Sequence, residues 1–148
     1  MERVQIPNSQ FFALAKELLH EGKKIEIVVK GNSMRPFLYP GETVVVAPIG
    51  YSETFRRYDI ILAETSTGQV IMHRIHEITP DAILMKGDGN LHQTERVNRC
   101  DIMGKVVCVK RNGKHVSLYT PFQVFLARLW RPFMLRRVGL FFLRAFCN

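Results

Sequence analysis

Ser33 sits in the segment Gly31-Asn32-Ser33-Met34-Arg35-Pro36, with a glycine before it and a proline closing the loop after it. Glycine and asparagine supply the backbone conformations of a tight turn, so this loop can hold one hydroxyl in a fixed place. A serine hydroxyl attacks poorly near neutral pH, and a nucleophilic one needs a base within hydrogen-bond reach. The histidines are His20, His73, His76, His92 and His115. Strand alternation through Val70-Ile71-Met72-His73-Arg74-Ile75-His76 puts Ile71, His73 and Ile75 on one face and Met72, Arg74 and His76 on the other. Apolar neighbours disfavour the charged imidazole and favour the form of His73 that can accept a proton. In Lys86-Gly87-Asp88-Gly89-Asn90, Asp88 is a glycine-flanked acid that either caps a turn or orients the histidine. Lys86 is the alternative base. Each of these residues alone also has a plain structural reading: a turn serine, a core histidine bonded to backbone, a turn cap.

The elements that must position them change character along the chain. Phe11, Phe12, Leu14, Ala15, Leu18 and Leu19 recur at helical spacing between Asn8 or Ser9 as a cap and Gly22 as a stop, which predicts a helix over about 8–21. From Lys24 the pattern becomes β-branched: runs at 25–29, 43–46, 60–62, 70–78, 82–85 and 102–109 are separated by Pro40-Gly41, Thr67-Gly68, Pro80-Asp81 and Asn112-Gly113. Asn112-Gly113 also signals a two-residue hairpin between 106–109 and 115–118. Six or seven short strands predict a mainly β protein, a coiled antiparallel, barrel-like sheet with a short N-terminal helix. From Pro121, Phe122, Phe125, Leu126, Leu129 and Phe133 return to helical spacing, and Pro132 divides this tail into two pieces. The chain therefore divides into residues 1–120 and a helical tail, 121–148.

The order of the motifs resembles the superfamily of type I signal peptidases and LexA-type self-cleaving repressors, which are serine proteases. The resemblance runs from Val28 to Val109 through Gly31 to Pro36, Pro40-Gly41-Glu42, Tyr58-Asp59-Ile60-Ile61, His73-Arg74-Ile75, Lys86 to Asn90 and Ile102 to Val106. It implies a nucleophile at Ser33 and a base at His73. His73-Arg74 is similar to the Ser-His subgroup, the endoplasmic-reticulum type, where other branches carry lysine. That subgroup has a further aspartate just past the Lys-Gly-Asp motif, but here the stretch reads Leu91-His92-Gln93-Thr94-Glu95. Asp88 is then the remaining matched acid. Gly31 replaces the serine that signal peptidases carry there, so an oxyanion would rest on backbone N–H groups of Asn32 and Ser33. Met34 and Pro36 shape the loop and are the candidate substrate-facing groups. The expected activity is hydrolysis of a leader or signal-like peptide bound as an extended strand; the alternative is a peptide-binding protein of the same fold without turnover.

With 47% hydrophobic and 23% charged residues, the 148-residue chain can bury a core, which excludes a disordered or fibrous protein. The net charge is +8, but five arginines and no acid lie in 121–148, leaving 16 basic against 13 acidic residues in the first 120. The tail is thus the cationic part, a candidate for an anionic membrane surface. No nucleic-acid motif accompanies the arginines, and no nucleic-acid partner is expected. Cys100, Cys108 and Cys147 lack zinc-knuckle or redox spacing and are expected as buried free thiols; no metal or cofactor is expected. The opening residues, MERVQIPNSQ, lack the apolar core of a secretory signal, and arginines interrupt every long apolar run. The expected location is the cytoplasm or the cytoplasmic face of a membrane.

Overall fold

The computed structural model describes residues 8–50, 54–90, 93–130 and 133–146. Helix α1, Asn8–His20, ends where Gly22 takes a positive φ of 84° and the N–H groups of Gly22 and Lys23 bond back to the carbonyls of Leu19 and Leu18. Eight strands follow: β1 Ile25–Val28, β2 Thr43–Ala47, β3 Ile60–Glu64, β4 Val70–Ile78, β5 Ile83–Lys86, β6 Glu95–Val97, β7 Ile102–Arg111 and β8 Lys114–Ser117. They form one curled antiparallel sheet in the order β1-β2-β7-β3-β4-β5-β6, with β8 paired to β7. The mainly β expectation is met. The three-residue strand β6 was not anticipated, being too short to carry an alternation signal. Asn112 and Gly113 both adopt positive φ, 51° and 74°, in the two-residue turn between β7 and β8, the conformation such a hairpin requires.

Strand β3 explains the layering, because Ile60, Ile61, Leu62 and Ala63 are all fully or almost fully buried. Ile60 and Leu62 join a core with Ala15 and Leu19 of α1, Met34, Leu38, Val44 and Val106. Ile61 and Ala63 face the other way, into a second core with Ile75, Ile83, Met85 and Val97. Pairing of Ile61 with His73 places the histidine at the rim of this second core. Tyr119 fastens the sheet from below the tail: its hydroxyl donates to the Val106 carbonyl and accepts the Ile60 N–H at 3.1 Å. Burial pushes its phenol well above the ordinary tyrosine range.

β4 pairs with β3 along residues 70–74 but with β5 only along 74–78. Among the described residues, its first half therefore has a free backbone edge on the side away from β3, and the outer edge of β1 is free as well. The register of β4 with β5 shifts between Ile75 and Glu77, a bulge at His76. Beside it the Tyr58 N–H donates to the Ile75 carbonyl and the Ile75 N–H to the Asp59 carbonyl, at 3.0 and 2.7 Å. The Tyr58-Asp59 motif thus fixes the strand that carries His73.

Residues 29–42 carry the serine loop back to the sheet and are clamped by Arg111. Its guanidinium donates to both oxygens of Glu42 and to the Phe37 carbonyl at 2.7 Å, while the Tyr39 N–H donates to Glu42 at 2.8 Å. Partial burial pushes the Glu42 carboxyl up, but the hydrogen bonds from Arg111 and Tyr39 and the charge of Arg111 outweigh it and hold the group below its ordinary value. A carboxyl depressed in the folded state stabilises the fold fully above its unfolded value of 4.5 and loses that contribution as pH falls through the folded value. Glu42→Gln is expected to lower the urea midpoint at pH 7 and to flatten its fall below pH 4.5 relative to the parent protein.

Candidate active site

Ser33, His73 and Glu95 are brought together from three separate elements. The Ser33 hydroxyl lies 3.1 Å from His73 Nε2, and His73 Nδ1 lies 2.9 Å from Glu95 Oε2. A carboxylate oxygen only accepts, so Nδ1 carries the hydrogen in this arrangement. With a single ring hydrogen there, the lone pair of Nε2 faces the serine hydroxyl, which is the tautomer a general base needs. His73 is 6% exposed, whereas Ser33 remains partly accessible, so the imidazole is shielded and the hydroxyl is reachable.

The sequence leaves Asp88 as either a turn cap or the acid that orients the histidine; in the structure the carboxylate on Nδ1 belongs to Glu95. Asp88 takes the fork of Arg74 instead, with Nε to Oδ1 and Nη2 to Oδ2 both at 3.0 Å. Arg74 Nη1 also donates to the Tyr58 carbonyl at 2.8 Å, and the guanidinium lies over the Phe37 ring, 4.9 Å from its centre. Strand parity accounts for the difference. Arg74 follows His73 and faces the opposite side of β4, and Lys86, its partner in register on β5, shares that side. Lys86, the alternative base, is thereby placed away from the serine. Glu95 pairs with Met85, which pairs with Ile75, and all three share the face of His73.

The glycine-rich segment has a different task from the one read in the sequence. The Gly89 N–H donates to the Ser33 carbonyl at 2.7 Å. A Cβ on Gly87 would stand 2.5 Å from the Ser33 carbonyl oxygen and 3.1 Å from His73 Nε2. One on Gly89 would stand 2.5 Å from the Asn32 carbonyl oxygen. Both glycines are therefore required by close backbone approach, and the segment is a template against which the serine loop is moulded. The outer side of this template is held by the tail, since Trp130 Nε1 donates to the Asp88 carbonyl at 2.7 Å.

A groove of about 310 Å³ opens at the serine. It runs between the free edge of β1 and the first half of β4, and Phe11, Phe12, Ile27, Leu62 and Met72 give it an apolar lining. Met34 is buried and also lines it beside Ser33, while half-buried Pro36 lies outside the lining. Asn32 is exposed next to Ser33. Cys100 is exposed and Cys108 partly so, correcting the expectation of buried thiols; Cys147 and His92 lie outside the described residues. No group of His, Cys, Asp and Glu able to hold a metal ion occurs among the described residues. None of their helices is long and apolar enough to cross a membrane.

Residues 2–107, more than half of the chain, match the model of the Peptidase S24-like family, and the chain belongs to that family, whose members are serine-type peptidases in general. No curated protein matches the sequence.

Two pairs of variants separate the roles of these residues. Glu95→Gln is expected to slow labelling of Ser33 by a fluorophosphonate roughly 10²-fold or more, with little change in the urea midpoint, because the amide no longer fixes the ring tautomer. Asp88→Asn is expected to cost roughly 3–5 kcal/mol of folding stability by leaving the buried Arg74 charge without its partner. Gly87→Ala is expected to depress labelling by about 10²-fold through displacement of the Ser33 backbone, while Gly50→Ala, at a glycine with nothing within 4 Å of a new Cβ and no positive φ, leaves labelling unchanged.

Proposed function

We propose that this protein is a serine endopeptidase in which Ser33 is the nucleophile, His73 the general base and acid, and Glu95 the carboxylate that orients the imidazole. The observation that carries this reading is the continuous hydrogen-bonded chain from the Ser33 hydroxyl through His73 to Glu95, with spacings of 3.1 and 2.9 Å. In the first half-reaction Ser33 Oγ adds to the scissile carbonyl carbon as its proton passes to His73 Nε2. The carbon–nitrogen bond then breaks, the imidazolium returns that proton to the leaving amine, and an acyl-serine remains. Water attacks the ester in the second half, deprotonated by the same histidine; the acyl–Oγ bond then breaks, the imidazolium returns the proton to Ser33 Oγ, and the acid product leaves. General-base help of this kind is worth roughly 10²–10⁴-fold. The developing oxyanion rests on backbone N–H groups of the Asn32-Ser33 loop, each such donor being worth roughly 10²–10³-fold.

The substrate in this proposal is an extended peptide segment of the leader or signal-like kind, bound between the two free strand edges. Two features support it. Backbone groups on β1 and on the first half of β4 border the groove unpaired by neighbouring strands among the described residues, as strand addition requires. The lining beside Ser33, with Ile27, Met34 and Leu62, suits small or apolar side chains next to the cleaved bond. Glu95 supplies the third group that Asp88 does not, so the reading as a binding protein without turnover has no structural observation in its favour.

Ser33→Ala and His73→Ala are each expected to abolish cleavage of a panel of unfolded leader-like peptides, by at least 10²-fold, while leaving the circular dichroism spectrum and urea midpoint near those of the parent. Mass spectrometry of the products measures this, and an active Ser33→Ala protein rules the assignment out.

A further inference from the structure

The C-terminal helices present their apolar residues in an unusual direction. Helix α2, Pro121–Trp130, lays Ala127 and Trp130 toward the β domain, where Ala127 is buried and Trp130 bonds the Asp88 carbonyl. Its large apolar residues point the other way: Phe122, Phe125 and Leu129 are 66%, 55% and 45% exposed. At 100° per residue these three fall within about 60° of arc. A helix that merely covers a core does the reverse, burying its largest apolar residues and exposing its small and polar ones. Helix α3, Phe133–Phe146, repeats the pattern: Leu140 is buried, while Phe141, Phe142 and Phe146 are 69%, 52% and 80% exposed. Phe142 and Phe146 stack on each other one turn apart, with ring centres 6.2 Å apart. Arg137 and Arg144 are exposed on the same helix, and residues 121–148 contain no acidic residue.

We infer that the α2–α3 hairpin is a docking face for the surface of an anionic phospholipid membrane, with the exposed phenylalanines and Leu129 entering the acyl boundary and Arg137 and Arg144 at the headgroup phosphates. Charge complementarity selects this occupant. An acid-free surface that combines aromatic rings with arginines matches an interface that is apolar below and negative above. A nucleic acid would use the arginines but leave the rings in water, and a second copy of the same cationic hairpin would bring arginines against arginines. The hairpin does not cross the bilayer: both helices are too short and interrupted by charge. It stays tied to the domain through Trp130, Ala127 and Arg128, whose guanidinium lies 5.7 Å from the centre of the Tyr58 ring. Membrane attachment and the serine loop are therefore joined through one hydrogen bond, from Trp130 to the Asp88 carbonyl that neighbours Gly89.

The test is flotation of the full-length protein with vesicles of phosphatidylcholine alone or mixed with phosphatidylglycerol. Binding to the anionic vesicles is expected to be at least about tenfold tighter than to the neutral ones and to weaken as salt is raised. The variant Phe122→Ser/Phe125→Ser/Leu129→Ser is expected to lose binding to both kinds of vesicle by about tenfold or more. Arg137→Gln/Arg144→Gln is expected to lose only the preference for anionic lipid. Fluorophosphonate labelling of Ser33, unchanged in both variants, shows that the fold and the site persist, so a failure of the docking face is distinguishable from a failure of the peptidase assignment. Absence of flotation with either vesicle overturns the inference. So does a dimer in analytical ultracentrifugation that the triple variant abolishes, which makes the face a self-association surface, or retention on duplex DNA that exceeds retention on anionic vesicles.

Discussion

Everything at the site depends on how closely the backbone of residues 87–89 approaches the backbone of Asn32 and Ser33. A hydrogen bond of 2.7 Å from the Gly89 N–H to the Ser33 carbonyl is the attractive part of that contact, and the absence of side chains on Gly87 and Gly89 is what permits it. The loop that carries Ser33 has no strand partner of its own at this point, so its position is set from outside. Arg74 sets the position of the template in turn, by holding the Asp88 side chain, the Tyr58 carbonyl and the Phe37 ring at once. A buried guanidinium with all three nitrogens hydrogen-bonded is costly to assemble but rigid once assembled. The rigidity is transmitted to the serine without any of these residues touching it through a side chain.

The two sides of β4 therefore divide the work. His73 looks toward the second core and Glu95, and Arg74, one residue later, looks toward Asp88 and the tail. A strand is the natural device for this, since neighbouring residues are separated by the sheet itself. The bulge at His76 and the Tyr58–Ile75 pairing keep the strand in one register, so a slip that would exchange the two faces is opposed on both sides of the histidine.

Much of this was legible in the residue order. The Gly31–Pro36 loop, the parity of His73, the helix ending at Gly22 and the turn at Asn112-Gly113 follow from local rules, and the structure has each of them. Glu95 was not legible for a physical reason. It is placed by the register of a three-residue strand, Met85 against Glu95, and register across a turn is not encoded in alternation. The partner of Asp88 was not legible either, because Gly87 interrupts the strand pattern and parity no longer says which face the next side chain joins. The tail misleads in another way: helical periodicity shows that an apolar stripe exists but not which way it faces, and here the seat on the domain is filled by Ala127 and Trp130 while the phenylalanines look outward.

The half-paired state of β4 carries a consequence for what can be cut. A strand edge reads conformation before it reads sequence, because its amide and carbonyl groups can be met only by a chain whose own are unspent. In the proposed mode of substrate binding, folded proteins, which have committed theirs internally, would be refused at the entrance whatever their side chains. Discrimination of this sort would spare folded proteins from indiscriminate proteolysis without any elaborate pocket. It also makes the timing of a cut depend on when a segment is unfolded, as during synthesis or before a precursor closes on itself, and so lets the folding of the substrate act as the clock.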